Sequence, residues 1–291
     1  MSYEVPYAIG TYTGNGSDPR LISTGFYPEF LMLFGRNLVP QGYFLTRDKY
    51  IDDGTSFRGT DGSFSNADTD LDLENSGFAV AGNANLNTII YSYIAFQKSA
   101  QFIAGKYTGS GAARLIPIGF KPDVALIMRD QPFASGGIIS LKLANHPTNR
   151  FTTFEINCGT ITTANGFLLV DGGIKLGSGD AATNVSSNVY YYVALSLRAG
   201  LRGYIGSYTG GATDVYVHTG ARPRFTINET DSASNINFKC DEPINTGAIG
   251  CSSNTSTDWF GTTGVLTFGA QSFTPTNTLT GTELNRYLVL F

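Results

Sequence analysis

The chain has 291 residues, of which only 14% are charged and 13% aromatic, with 35 glycines and a net charge of −4. The acidic balance and the lack of a basic run leave no electrostatic footprint for nucleic acid, and the apolar stretches are strand-sized, too short to span a bilayer. Aromatic content is too high for disorder and long helix-forming side chains are scarce, which points to an all-β protein rich in tight turns.

The segment Met1 to Pro6 has neither a basic start nor an apolar core and is not read as a secretory signal. From Pro6 to Tyr12 the chain alternates as a strand does. Gly14-Asn15-Gly16 is a hairpin signal, because Asn-Gly tolerates positive φ at both turn positions, with Leu21-Ile22 returning as the second strand. Gly25-Phe26-Tyr27-Pro28 turns a corner. Residues 29–34 then form an apolar run suited to a strand buried on both faces or facing a partner sheet. A polar, Asp- and Gly-rich middle spans 35–76, and strands at 77–80 and 88–96 close the unit.

The same order then recurs. Gly105-Lys106-Tyr107-Thr108-Gly109 and Gly206-Ser207-Tyr208-Thr209-Gly210 repeat Gly10-Thr11-Tyr12-Thr13-Gly14. Gly119-Phe120-Lys121-Pro122 and Gly220-Ala221-Arg222-Pro223 repeat the corner. Gly166-Phe167 and Gly264-Val265 repeat Gly77-Phe78. The strands 189–196 and 285–291 repeat the tyrosine-rich close at 91–96. Gly10, Gly105 and Gly206 lie 95 and 101 residues apart, a step near the common size of a domain with its own core.

The expectation is therefore all-β: three tandem antiparallel β-sandwich modules of about 100 residues each, at 1–98, 99–199 and 200–291, the last diverged. The recurring glycines are read as positive-φ or crowded positions. The tyrosines are read as core residues with hydroxyls at the rim, an exposed binding row being the alternative.

Catalytic and cofactor motifs are missing: no nucleophile elbow, phosphate loop, zinc-protease helix or paired-cysteine motif occurs. Gly177-Ser178-Gly179-Asp180-Ala181-Ala182 matches a dinucleotide-binding pattern only formally, because a loop and a strand follow it instead of a helix. The two histidines, His146 and His218, fall in different modules and are read as solvated or hydrogen-bonded. Alternation in Asp68-Thr69-Asp70-Leu71-Asp72-Leu73-Glu74 puts carboxylates on one face, read as a solvated face, with calcium or a basic partner as alternatives. Asp68, Asp70, Asp72, Asn15 and Ser110 are expected to be exposed, without assignment to a site. The odd cysteines, Cys158, Cys240 and Cys251, are read as reduced thiols of a protein assembled in a cytosol, a Cys240–Cys251 pairing being the alternative. No catalytic, cofactor-binding or metal-binding residue is assigned.

The glycine–tyrosine turn, the Gly-Phe-x-Pro corner with its apolar strand, and the Tyr-x-Tyr-Ile-Ala-Phe close resemble a repeat domain of tailed-bacteriophage virion proteins. The resemblance covers the framework of the first two modules. The third departs at Ala221, Val265 and Leu288-Val289-Leu290. It implies a non-enzymatic structural protein of the virion, assembled in the host cytoplasm, with other virion proteins as partners, either the major capsid protein or tail proteins. With no coiled-coil shaft and no anchoring segment read in the chain, a capsid decoration or cement protein is expected, its modules acting multivalently. A homo-oligomer follows, with a trimer of chains as one arrangement and a single chain filling a threefold site as the other. A tail-fibre or receptor-binding protein recognising host glycans is the alternative. That reading expects exposed aromatics at Tyr43, Tyr50 or Trp259.

Overall fold

A computed structural model of the chain describes residues 7–35, 43–51, 56–60, 63–65, 70–130, 138–148, 150–154, 160–162, 166–180, 182–197, 202–211, 213–230, 236–240, 249–251, 266–275 and 283–291. The first module contains β1 (Tyr7–Thr13), β2 (Arg20–Ser23), β3 (Phe30–Gly35), β4 (Tyr43–Asp48), β5 (Phe57–Thr60), β6 (Ser63–Ser65), β7 (Leu71–Glu74), β8 (Gly77–Val80) and β9 (Ile90–Phe96). The second repeats them as β10 (Phe102–Thr108), β11 (Arg114–Pro117), β12 (Val124–Arg129), β13 (Ile138–Leu143), β14 (Phe151–Phe154), β15 (Thr160–Thr162), β16 (Phe167–Val170), β17 (Gly173–Leu176) and β18 (Val189–Leu195). The third contains β19 (Gly203–Thr209), β20 (Val217–His218), β21 (Phe225–Thr230), β22 (Ile236–Cys240), β23 (Ile249–Cys251), β24 (Leu266–Phe268), β25 (Ser272–Pro275) and β26 (Leu284–Leu290).

Each module is a sandwich of a large and a small antiparallel sheet. The large sheets run β1-β9-β3-β4-β5-β6, β10-β18-β12-β13-β14-β15 and β19-β26-β21-β22-β23. The small ones run β2-β8-β7, β11-β17-β16 and β20-β25-β24. Among the described residues, no sheet mixes strands from two modules.

The apolar run in each large sheet explains this layering. On β3, Leu31 and Leu33 face the small sheet, packing with Tyr12, Phe78, Val80, Tyr91 and Tyr93. Phe30, Met32 and Phe34 point the other way, as the period of two requires. The second module divides β12 likewise, Ala125 and Ile127 toward its small sheet and Val124, Leu126 and Met128 away from it. Burying each large side chain contributes about 1.5–3 kcal/mol, so both faces of these strands demand cover.

The cover for the second face is the other two modules. One continuous core joins Phe30, Met32, Ile94 and Phe96 of the first module, Phe102, Leu126 and Val193 of the second, and Phe225, Ile227 and Leu288 of the third. A cavity of about 30 Å³, lined by apolar side chains from all three, lies inside it. The expectation that each module closes its own core therefore needs correction. Each has a private core between its sheets, but the opposite face of its large sheet is buried only by its neighbours.

Three seams close the ring. Phe96 stacks on Phe102 at 4.8 Å, and the Thr46 hydroxyl meets Met128 Sδ at 3.9 Å. Asn145 Nδ2 donates to Gly206 O at 2.9 Å, and Arg286 Nε donates to Asn145 O at 3.0 Å. Phe238 packs on Phe34 at 5.9 Å, Arg224 Nη2 donates to Ile9 O at 3.0 Å, and the Tyr7 hydroxyl donates to Phe291 O. Burial raises the Tyr7 hydroxyl to about 12 against its neighbouring arginines.

Of two further expectations, one is met and one is corrected. The corner glycines Gly25, Gly119 and Gly220 all have positive φ, 84°, 88° and 73°, as read from sequence. The Gly14-Asn15-Gly16 turn, however, joins no hairpin: β1 pairs with β9, while β2 crosses to the small sheet and pairs with β8. The turn instead bonds to the segment before β9, Gly14 N to Ile89 O at 2.8 Å and Gly16 N to Asn85 O at 2.8 Å. Those bonds replace the ones a hairpin would make.

Candidate functional site

The chemically richest place among the described residues is the seam between the second and third modules. Glu229 lies on β21, at the position that Phe34 occupies on β3 and Met128 on β12, counted from the shared register with the closing strand. It follows Phe225 and Ile227 on the axial face and is 2% exposed. Its Oε1 bonds His146 Nε2, and its Oε2 accepts from Thr152 Oγ1 at 2.8 Å. His146 corresponds to Ile51 of the first module: each backbone N–H closes the turn after the second axial strand, onto Leu143 O and Asp48 O. A histidine–glutamate pair thus stands at the positions that Ile51 and Met128 hold in the first and second modules.

Cations surround the pair. Lys142 Nζ is held by the carbonyls of Pro147, Thr148 and Arg150. Burial lowers its ammonium to about 8, with Glu229 pulling the other way. Burial also lowers Arg150 and Arg286, both of which feel Glu229. Both Glu229 oxygens are engaged and the His146 side chain is 0% exposed, so no substrate reaches the pair. It is a structural joint by geometry, not a general-base site.

Asp48 is another buried acidic residue on the axial face. It stands opposite Phe30, where Leu143 and Cys240 stand opposite Val124 and Phe225. Its Oδ1 accepts from Tyr50 N at 2.7 Å and Ile51 N at 3.2 Å, while Oδ2 is buried without a hydrogen-bond partner. Burial drives its carboxyl to about 7, and the two backbone bonds only partly offset this.

Each module's turn is also built from named side chains. The Tyr12 hydroxyl donates to Ala84 O at 2.5 Å, and Tyr107 to Thr183 O at 2.6 Å. Tyr12 stacks on Tyr91 at 4.9 Å and Tyr107 on Tyr190 at 5.0 Å. Arg20 and Arg114 cover the outer rings at 5.5 and 5.2 Å. Burial pushes the hydroxyls of Tyr12 and Tyr107 upward and lifts Tyr91 to about 12. Asn85 and Asn184 receive the backbone N–H of Asn15 at 3.2 Å and Ser110 at 3.0 Å. The tyrosines are therefore core residues, and the alternative of an exposed binding row is overturned. In the third module Asn285 faces Tyr208 in register where Tyr91 and Tyr190 face theirs, so the stacked pair is lost.

The residues nominated from sequence fall in several places. Asn15 and Ser110 are exposed at the turns. Asp70 accepts from Asn83 N at 2.8 Å, and Asp72 is 3.1 Å from Arg47. Both carboxylates are thus committed within the fold, while Asp68 lies outside the described residues. No group of three or more His, Cys, Asp or Glu side chains able to hold a metal occurs among the described residues. Tyr50 packs against the shared core and is only partly exposed, which removes it from the aromatics expected at a glycan surface. Trp259 and the side chain of Tyr43 lie outside the described residues. His146 is buried and bonded, and His218 is exposed. Gly179 N bonds Gly111 O, and the Asp180 carboxylate accepts from Ala182 N, Thr183 N and the Thr183 hydroxyl, so the glycine motif organises a loop. Cys251 pairs with Ile236, at the end of β22 away from buried Cys240. That separation is too great for a disulfide. Cys158 lies outside the described residues.

Sequence reasoning missed Glu229 and Asp48. The signal was present: aligning the three repeats puts one charge into each of two otherwise apolar columns.

No known protein family matches the chain, and no curated protein sequence does. Among solved structures, the nematode sperm cell motility protein MFP2B aligns over 98% of this chain and 73% of its own at 11% identity, with a TM-score of 0.19. That score is too low to carry an argument.

Proposed function

We propose that the chain is a non-enzymatic structural protein of a tailed-bacteriophage virion that decorates or cements the outer capsid surface. The observation that carries this reading is the ring of three sandwiches around one apolar core, in which a single chain supplies the pseudo-threefold unit that a trimer would otherwise supply. Such a unit fits a site of local threefold symmetry on a pre-formed shell. The framework motifs that resemble phage repeat domains point the same way, and the buried His146–Glu229 pair is closed to substrate.

Repeated exposed apolar side chains support such docking. Leu21, Leu115 and Tyr216 are 55, 49 and 66% exposed. Each precedes the residue that buries itself under its small sheet, Ile22, Ile116 and Val217. Each offers a modest contact, and linkage on one rigid body raises the effective concentration of the next.

Particle maps of virions with and without this chain test the reading. Density on the capsid surface, centred on local threefold positions and lost with the chain, is expected. Antibody labelling confined to the tail tip, or binding of the isolated protein on a glycan array, would overturn it in favour of receptor recognition. Aspartate substitutions at Leu21, Leu115 and Tyr216 together should lower capsid occupancy without unfolding the chain.

A further inference from the structure

We propose that the layer between the two sheets of the third module is a water-binding site, in which ordered water pairs the buried side chains of Thr226, Asn228, Asn237 and Asn285.

These four side chains share one face of the large sheet. On β21 the axial face takes Phe225 and Ile227, and on β22 it takes Ile236, Phe238 and Cys240. The period of two therefore turns Thr226, Asn228 and Asn237 inward, toward the small sheet. Asn285 on β26 lies two residues before Tyr287, which belongs to the private core, and faces the same way. Asn228 stands opposite Asn237 and, on its other side, opposite Tyr287. Direct cross-strand neighbours such as Asn228 and Asn237, and diagonal ones such as Asn228 and Asn285, lie within reach of a common small molecule.

All four residues are buried, at 0%, 0%, 4% and 0% exposure in chain order. Thr226 Oγ1, Asn228 Nδ2, Asn237 Nδ2 and Asn285 Oδ1 nevertheless have no hydrogen-bond partner among the described residues. Asn228 Oδ1 is already paired, accepting from the Tyr208 hydroxyl at 3.0 Å, and Asn285 Nδ2 donates to Glu283 O at 3.1 Å. Rotating either amide would only exchange its paired atom for its unpaired one. A buried polar atom without a partner has lost its hydration with no bond in return.

The chemistry of the set selects the partner. Two amide donors, one amide acceptor and one hydroxyl call for a molecule that both donates and accepts. A bare cation would meet the two N–H groups, and a bare anion would meet the Asn285 oxygen. Lys239, opposite Thr226 in register, lies over the Phe268 ring at 5.4 Å. Water donates and accepts in several directions, and buried water is held where polar groups converge.

The repeat shows what this layer has replaced. Asn228 occupies the position of Leu33 and Ile127, and Thr226 that of Leu31 and Ala125. Asn285 occupies that of Tyr91 and Tyr190. In the first two modules those rings fill the layer, stacked on Tyr12 and Tyr107. An amide at position 285 occupies less of it than a phenol ring does. Tyr208 sends its hydroxyl to Asn228, whereas Tyr12 and Tyr107 send theirs to loop carbonyls. The third module has exchanged an aromatic stack for a polar layer.

Two measurements on the full chain test this. A crystal structure at a resolution that orders solvent should show water within hydrogen-bond distance of at least two of the four unpaired atoms. Direct bonds among the four side chains with no solvent between them would overturn the proposal, as would density for a larger molecule. Oxygen-17 relaxation dispersion reports long-lived internal water. Its amplitude should fall when Asn228→Leu and Asn285→Tyr together install the residues of the first module. At about one buried water per 27 residues, losing one or two should lower the amplitude by about a tenth to a fifth. An unchanged amplitude in the folded variant would sink the assignment. The crystal measurement uses the natural chain, so it decides the matter if the double substitution prevents folding.

Discussion

The ring of Tyr93 lies across Gly10, the residue opposite it on the neighbouring strand, so closely that a β-carbon at position 10 would sit 2.5 Å from the tyrosine hydroxyl. Gly105 and Tyr192, and Gly206 and Tyr287, repeat the relationship. The glycine that opens each repeat and the tyrosine that closes it are thus one contact. The ring fills the space left by the missing side chain and covers a backbone position that would otherwise weaken the strand.

Gly10→Ala should therefore cost about 1–3 kcal/mol through overpacking, read as a lower urea midpoint. In a Tyr93→Ala background the same change should cost clearly less, because the two residues act as one pair. Equal costs in both backgrounds would disprove the contact.

Asp48 should make stability depend on pH in an unusual direction. Its folded carboxyl sits at about 7, above the unfolded value of 3.8, so the folded chain holds a proton that the unfolded chain releases. Its contribution is fully present below the unfolded value and is lost as pH rises through about 7. Asp48→Asn keeps the acceptor for Tyr50 N and Ile51 N. It should leave stability nearly unchanged at acid pH and raise it at pH 8, by on the order of 4 kcal/mol at most. Chemical denaturation of both proteins across that range checks this; a constant difference between them would refute it.

Thr88 has a φ of 69°, in the left-handed region that branched side chains avoid, and Ser187 repeats it at 69°. The conformation is held by the Thr88 N–H bond to Gly14 O at 3.0 Å, as Ser187 N bonds Gly109 O at 3.0 Å. Thr88→Asn keeps that bond and relieves the strain, so it should stabilise the protein by about 1 kcal/mol. The expected readout is a higher Tm with unchanged β-sheet circular dichroism.

The shared core predicts cooperative unfolding. Calorimetry and near-ultraviolet circular dichroism should report one coincident transition. Phe102→Ala, which removes the ring stacked on Phe96, should cost about 3–5 kcal/mol and shift that transition as a whole. Residues 99–199 expressed alone should expose Val124, Leu126, Met128, Ile139 and Leu141, bind a hydrophobic dye and fail to give a sharp transition. Independent, well-ordered behaviour of that fragment would count against the shared core.

Much of this fold was legible in the residues themselves. A strand has a period of two and a corner needs a conformation that only glycine adopts freely. Repetition of Gly25, Gly119 and Gly220, and of the runs at Phe30, Val124 and Phe225, therefore announced sheets, corners and their order. Local rules of that kind say which face of a strand is apolar but not what covers it. The apolar run of β3 demanded burial on both sides; only the tertiary structure decided that one cover is the module's own small sheet and the other its two neighbours. The same limit hid the pairing of Glu229 with His146, 83 residues apart in the chain. It also hid the crossing of β2 out of the apparent hairpin. Long-range pairing is decided by which buried groups find partners when the three modules close together, and no local pattern records that choice.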